Sequence, residues 1–174
     1  MKIEDVKSYI ERSMTGVDTI ATELDELVSA IVDKTCKELD EYVQYVKALL
    51  DDQTRDISNI ELDDIVMTLP TLLYFTGSMQ ETIGIREDIA KMNETNAVHE
   101  ALANSSGTVQ EKQAYAKTVT QTEALTTIVY QRANKQIRAK NEIALEVLQS
   151  CKKVLSRRLA ETELSKNTPN RQGK

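Results

Sequence analysis

Few residues in this chain have side chains suited to covalent or metal chemistry. Its 174 residues include one histidine, His99, and two cysteines, Cys36 and Cys151. A lone imidazole leaves a metal site without a second nitrogen ligand, and Glu94 and Glu100 beside it read as helix-surface carboxylates. Both cysteines fall on apolar seams, where a thiol behaves as a small hydrophobe, and a nucleophilic thiol would need His99 as its base. No Gly-rich phosphate loop, Cys-x-x-Cys pair or His-Glu-x-x-His sequence occurs. The acidic clusters Glu23-Leu24-Asp25-Glu26, Glu38-Leu39-Asp40-Glu41 and Glu61-Leu62-Asp63-Asp64 spread their carboxylates around a helix, unlike a calcium loop. The paired Glu-x-x-His pattern of di-iron bundles is missing too. The expectation is a protein that is not an enzyme, with no cofactor and no metal.

The side chains with the most to offer are cationic, and they are unevenly placed. Residues 1–103 carry 9 Lys and Arg against 22 Asp and Glu, and residues 104–174 carry 13 against 6. The net charge of −6 therefore divides into −13 and +7. At about 100° per residue with Arg132 at zero, Lys117, Lys135 and Lys153 fall near 300° and Arg157 near 340°. The apolar residues Val129, Ala133, Ile137, Val147, Cys151 and Leu155 fall near 60–140° on the same wheel. The cations thus form a row pointing away from the core, which Arg138, Lys140, Lys152 and Arg158 widen. A row of this kind suits a nucleic-acid backbone, with Tyr115 and Tyr130 as the aromatics available for stacking. An alternative is that it pairs with the acidic helices of the first half.

Three helical segments must position these residues. The first, about 3–53, carries a heptad seam at Ile3, Val6, Ile10, Val17, Ile20, Leu24, Leu27 and Ile31, broken only at Ser13. After Lys34 the seam shifts to Val32, Cys36, Leu39, Val43, Val46 and Leu50, a stutter that relaxes the supercoil. The polar stretch 51–59 is a connection, with Ser58 or Asn59 as the next cap. The second segment, about 60–103, contains Pro70, which predicts a kink or break near Leu69. Its window Ile65, Val66, Met67, Leu69, Leu72, Leu73, Tyr74 and Phe75 is the most apolar in the chain and reads as core. Gly77 and Gly84 share a face where another helix could approach closely. Ala103-Asn104-Ser105-Ser106-Gly107-Thr108 is a turn, with Ser106 or Thr108 capping a last helix over about 109–166. Residues 167–174 form a polar tail.

The expected fold is all-α, a long-helix coiled-coil hairpin or bundle, forming a single elongated domain over 1–166. Helices of about fifty residues, roughly 75 Å at 1.5 Å per residue, cannot bury every apolar stripe within one thin hairpin. The Ile3–Ile31 seam is therefore assigned to a homo-oligomer interface. Five Gly and two Pro argue against an all-β fold. No apolar run is long enough to span a bilayer, the first residues lack a signal-peptide stretch, and two unpaired cysteines suit reduced thiols. No membrane partner and a cytoplasmic location are the expectation.

The order Leu69-Pro70-Thr71-Leu72-Leu73-Tyr74, then Asn104-Ser105-Ser106-Gly107, then Ala144-Leu145-Glu146-Val147-Leu148-Gln149-Ser150-Cys151-Lys152-Lys153-Val154-Leu155-Ser156-Arg157-Arg158 resembles phage recombination mediator proteins of the UvsY type. The resemblance covers roughly the last 105 residues, and the acidic heptad region has no counterpart in it. It implies an oligomeric, ring-like protein that binds single-stranded DNA and helps load a recombinase onto strands covered by a single-strand-binding protein. Lys152, Lys153, Arg157 and Arg158 would contact the strand, joined by Lys117, Arg132 and Lys135 from the wheel. Two other readings stand beside it: a scaffolding coiled-coil protein with protein contacts only, and a small inhibitor or adaptor for one protein partner.

Overall fold

Apolar residues recur at helical spacing along nearly the whole chain, and helices are what they form. The computed structural model describes the backbone of residues 3–52 and 54–167 and the side chains of 18–52 and 54–166. Among these residues there are four helices and no strand: α1 (Ile3–Asp51), α2 (Asn59–Asn104), α3 (Val109–Val119) and α4 (Gln121–Asn167). The fold is all-α, with four helices where three were expected. Ile3, Val6, Ile10 and Val17 lie outside the described side chains, and the tail 168–174 lies outside the described residues.

The fourth helix arises at Thr120. Its φ of −97° and ψ of 17° leave the helical region, so the expected 109–166 helix divides there. Hydrogen bonding nevertheless continues through the joint: the Thr120 N–H donates to the Ala116 carbonyl and the Ala124 N–H donates to the Thr120 carbonyl. Of the kink or break expected near Pro70, the break does not occur: α2 runs through the proline. A proline in a helix interior costs about 3 kcal/mol. Leu62, Ile65 and Leu69, all fully buried, offset that at about 1.5–3 kcal/mol each.

The chain divides into two compact units. The first takes the chain up to Thr35 together with Met79–Ile137, and the second takes Cys36–Ser78 together with the chain from Arg138. In the second unit Leu39, Leu69, Ala144 and Leu148 form one cluster, and Val46, Leu62, Ile65 and Cys151 form the next. From one cluster to the next, the numbering rises on α1 and α4 and falls on α2. Within this unit α1 and α4 are therefore parallel, and α2 runs against both. In the first unit the buried apolar residues are Val28 and Val32 of α1, Ile83, Ala90 and Ala101 of α2, Ala116 of α3, and Val129, Ala133 and Ile137 of α4. Here Asn134 Nδ2 donates to Glu87 Oε2 at 2.8 Å, joining α4 to α2, and Lys91 pairs with the other Glu87 oxygen.

The apolar window read as core is only half core. Ile65 and Leu69 are buried, Val66, Leu72 and Leu73 are half-buried, and Met67, Tyr74 and Phe75 are exposed. Eleven consecutive helical residues point in every direction, and a bundle covers only one side of them. The glycine expectation fares differently at its two positions. A Cβ at Gly77 would meet nothing within 4 Å, and one at Gly84 would make only an ordinary 3.8 Å contact with Asn134.

The connections carry explicit caps. Ser58 and Glu61 bond reciprocally: the Ser58 N–H donates to Glu61 Oε2 at 2.8 Å and the Glu61 N–H donates to Ser58 Oγ at 3.2 Å. Thr108 and Glu111 repeat the device ahead of α3. Just before Thr108, Gly107 adopts φ +122°, which a side chain would strain. Arg55 adds a two-pronged ion pair to Glu61 at 2.8 and 3.1 Å. The Arg55 guanidinium, together with the Ser58 donors, lowers the Glu61 carboxyl from 4.5 to about 2.

Two outcomes follow. Leu69→Ala should destabilise the chain by about 2–5 kcal/mol in urea denaturation, whereas Met67→Ala should stay within about 0.5 kcal/mol. Because the folded Glu61 pKa lies below its ordinary value, its contribution is present above pH 4.5 and is lost as the pH falls toward about 2. A carboxyl NMR titration should place the Glu61 midpoint near 2 and find it moved toward 4.5 in Arg55→Ala.

Candidate nucleic-acid interface

In α4 the buried apolar residues of each unit lie on one side of the helix, while Thr127, at about 220°, is buried outside that stripe. With Arg132 at zero, Val129, Ala133, Ile137, Ala144, Leu148 and Cys151 fall at about 60–160°. The first unit holds Lys117 on α3 and Arg132 and Lys135 on α4, all three exposed. Arg132 and Lys135 line a shallow surface depression with Gln131 and Gln136. The second unit holds Lys152, Lys153 and Arg157, all exposed, and Arg158, which is half-buried.

The partners of these cations differ. Lys117, Arg132, Lys135, Lys152 and Lys153 make no ion pair or side-chain hydrogen bond among the described residues. Arg157 pairs with Glu161 one turn on, Nε to Oε1 at 3.6 Å, with both side chains mostly in water. Such a pair is worth little and is easily exchanged for another anion. Arg158 is engaged: its Nη1 donates to the Ile57 carbonyl and, at 3.3 Å, to Asn59 Oδ1. This guanidinium ties α4 to the α1–α2 connection and contributes charge there rather than a free side chain. A different cation joins the acidic and basic halves, Lys140, whose Nζ lies 2.6 Å from Asp40 Oδ2.

Two features of this face escaped the sequence reading. Glu142 and Glu146, both exposed, fall at about 280° and 320°, inside the basic sector. They separate Arg132 and Lys135 from Lys153 and Arg157, so α4 carries two basic patches rather than one row. The positions of both carboxylates follow from the same helical period that aligns the cations. Arg158 and Lys140 both fall at about 80° on the same wheel, among the apolar residues and not in the outward row they were expected to widen. The groups that Arg158 meets had no local signal, because Ile57 and Asn59 are about a hundred positions away in the chain.

The residues expected to line an oligomer interface divide as well. Ile20 is 44% exposed and Leu27 56% exposed, while Leu24 and Ile31 are half-buried beside the buried stripe Val28, Val32, Cys36 and Leu39. Near Ile31 an apolar groove opens in the first unit, lined also by Met79, Thr82 and Ile83, with Lys34 and Arg86 at its edge.

His99 is exposed, and both cysteines are buried and unpaired with each other. Burial pushes the Cys151 thiol up, away from the reactive thiolate. Among the described residues no group of three or more His, Cys, Asp or Glu could hold a metal ion, and no helix is long and apolar enough to cross a membrane. The chain matches no protein-family model, no curated protein and no solved structure.

Arg158→Lys should lose the forked contact, lowering the urea midpoint and speeding amide exchange around residues 57–59. Lys152→Ala, which breaks no contact, should leave both unchanged.

Proposed function

We propose that this chain is a non-enzymatic, self-associating protein that binds single-stranded DNA and acts as a recombination mediator. The observation that carries this reading is the freedom of its cations. In a scaffold held by its own charges, Lys135 and Lys153 would pair with the acidic first helix. Instead they stand exposed and without partners among the described residues, although the chain carries 28 Asp and Glu. Unpaired cations on a helix face are what a phosphate backbone requires, and contacts of that kind are electrostatic and indifferent to sequence. The two patches, Arg132 with Lys135 and Lys152, Lys153 with Arg157, would each hold a short stretch of strand. The similarity of the Leu148–Arg158 run to UvsY-type mediators supports the same reading and supplies the partners, a recombinase and a single-strand-binding protein.

Self-association would use the coiled-coil seam of α1, where Ile20 and Leu27 remain in water and Leu24 and Ile31 are half covered. The scaffold reading gains support from Glu142 and Glu146, which lower the positive potential between the patches.

The test is fluorescence anisotropy of a labelled single-stranded oligonucleotide across a salt series, with the protein's mass followed by light scattering. Wild type should bind with a steep salt dependence, a log–log slope of about −0.7 per neutralised phosphate. Lys153→Glu with Arg157→Glu should weaken binding by about 10- to 100-fold and flatten that slope, with the mass unchanged. No binding at low salt overturns the reading in favour of a protein-only assembly.

A further inference from the structure

A second surface, in the second unit, is chemically opposite to the basic face. Ile60, Met67 and Tyr74 of α2 are 82%, 75% and 73% exposed. Their spacing of seven places them within about 20° of one line along the helix, while the buried Leu62, Ile65 and Leu69 lie about 160–220° away. The line is therefore the outer crest of the helix and no part of the core. Phe75, also exposed, stands beside Tyr74 with its ring at 72° to the tyrosine's. From Ile60 to Tyr74 the crest is about 21 Å long, four turns of helix. Large apolar side chains repeating every seven residues are the knobs by which one helix packs on another.

The charges beside the crest select its occupant. Asp63 and Asp64 flank Met67 on its two sides, at about −40° and +60°, and both are exposed. Asp63 has no partner among the described residues, and Asp64 accepts only a 3.2 Å bond from the Tyr42 hydroxyl. Between Arg55 and Arg86 the sequence contains no Lys or Arg, so nothing on this stretch of α2 neutralises the pair. A phosphate backbone or an anionic lipid surface would be repelled. Crest against crest, a second copy would bring Asp63 and Asp64 no cation: in a parallel pair they would face their own copies, and in an antiparallel pair about Met67 they would face the uncharged Thr71 and Pro70. The α4 helix of a second copy is basic but lacks a matching stripe: its exposed Ile143, Leu145 and Leu159 point near 20°, 220° and 180°.

We propose that the Ile60–Met67–Tyr74 crest of α2 docks an amphipathic helix of a partner protein whose apolar stripe is flanked by Lys or Arg. The stripe would interleave with the three apolar side chains, and its flanking cations would reach Asp63 and Asp64. This surface is distinct from the basic face, and the two stand or fall separately.

The test titrates the full chain, at physiological salt, with two synthetic four-heptad peptides that share Ile and Leu at the core positions. One carries Lys and the other Glu at the flanking positions. The Lys peptide should bind and the Glu peptide should not. Met67→Asp with Tyr74→Asp, both at exposed positions, should weaken Lys-peptide binding at least about tenfold while leaving single-stranded DNA affinity and mass unchanged. Asp63→Lys with Asp64→Lys should reverse the preference toward the Glu peptide, an outcome that does not depend on the first variant folding. The proposal is overturned if wild type ignores the Lys peptide or binds both alike, or if the Asp variant binds as well as wild type. It is also overturned if the Asp variant breaks an oligomer into monomers, which would make a second copy the occupant, or if it loses DNA affinity.

Discussion

Three long helices can share a core only if each contributes a single stripe, and in the second unit those stripes meet at Leu39, Leu69, Ala144 and Leu148. The α4 contribution is partly small, with Ala144 in this cluster and Cys151 in the next, so α4 lies close against its two larger-faced neighbours. This contact decides what every other residue of the unit can do. It holds α2 helical through Pro70, where the backbone loses a bond, by burying Ile65 and Leu69 on that turn and the one before. It also turns the far sides of α2 and α4 to water, one bearing an acid-flanked apolar crest and the other unpaired cations.

The electrostatics follow from the same geometry. The cations Lys135 and Lys153, on the side of α4 opposite its core stripe, have no acidic partner among the described residues. Lys140, which falls within the stripe at about 80°, meets Asp40. Exposed pairs contribute little to stability, so the charge of this protein acts chiefly through the field it presents to other molecules. A net charge of −6 conceals that division, because the positive and negative surfaces cancel in the sum without cancelling in space.

The connections show a different kind of control. Ser58 with Glu61 and Thr108 with Glu111 are reciprocal caps formed within four residues of sequence, and Gly107 supplies the positive φ that the turn into α3 requires. To the first of these caps the fold adds Arg55 from the connection and Arg158 from α4, so the start of α2 is held both locally and from a distance.

Helix type and most helix ends were legible in the sequence because they rest on short-range periodicity, but the division at Thr120 was not. The ends at Asp51, Asn59, Asn104 and Val109 fall within two residues of those expected, and Thr108 was among the expected caps. The basic character of α4 was legible for the same reason. The dissection of its face was only half legible: Glu142 and Glu146 were on the page, but the fork from Arg158 to Ile57 spans about a hundred residues. The sequence also could not say which apolar residues would be covered. Met67 and Tyr74 look as apolar as Ile65 and Leu69, and Ile20 and Leu27 as apolar as Val28 and Val32, yet one set is buried and the other is not. By itself, then, the sequence determined that the chain is helical, where most helix ends fall and how charge is distributed along the helices, since these depend on neighbours three or four positions away. Only the tertiary structure decided which stripe faces a partner helix, which cations are bound, and that Pro70 does not end α2. Those outcomes depend on side chains brought together from distant parts of the chain.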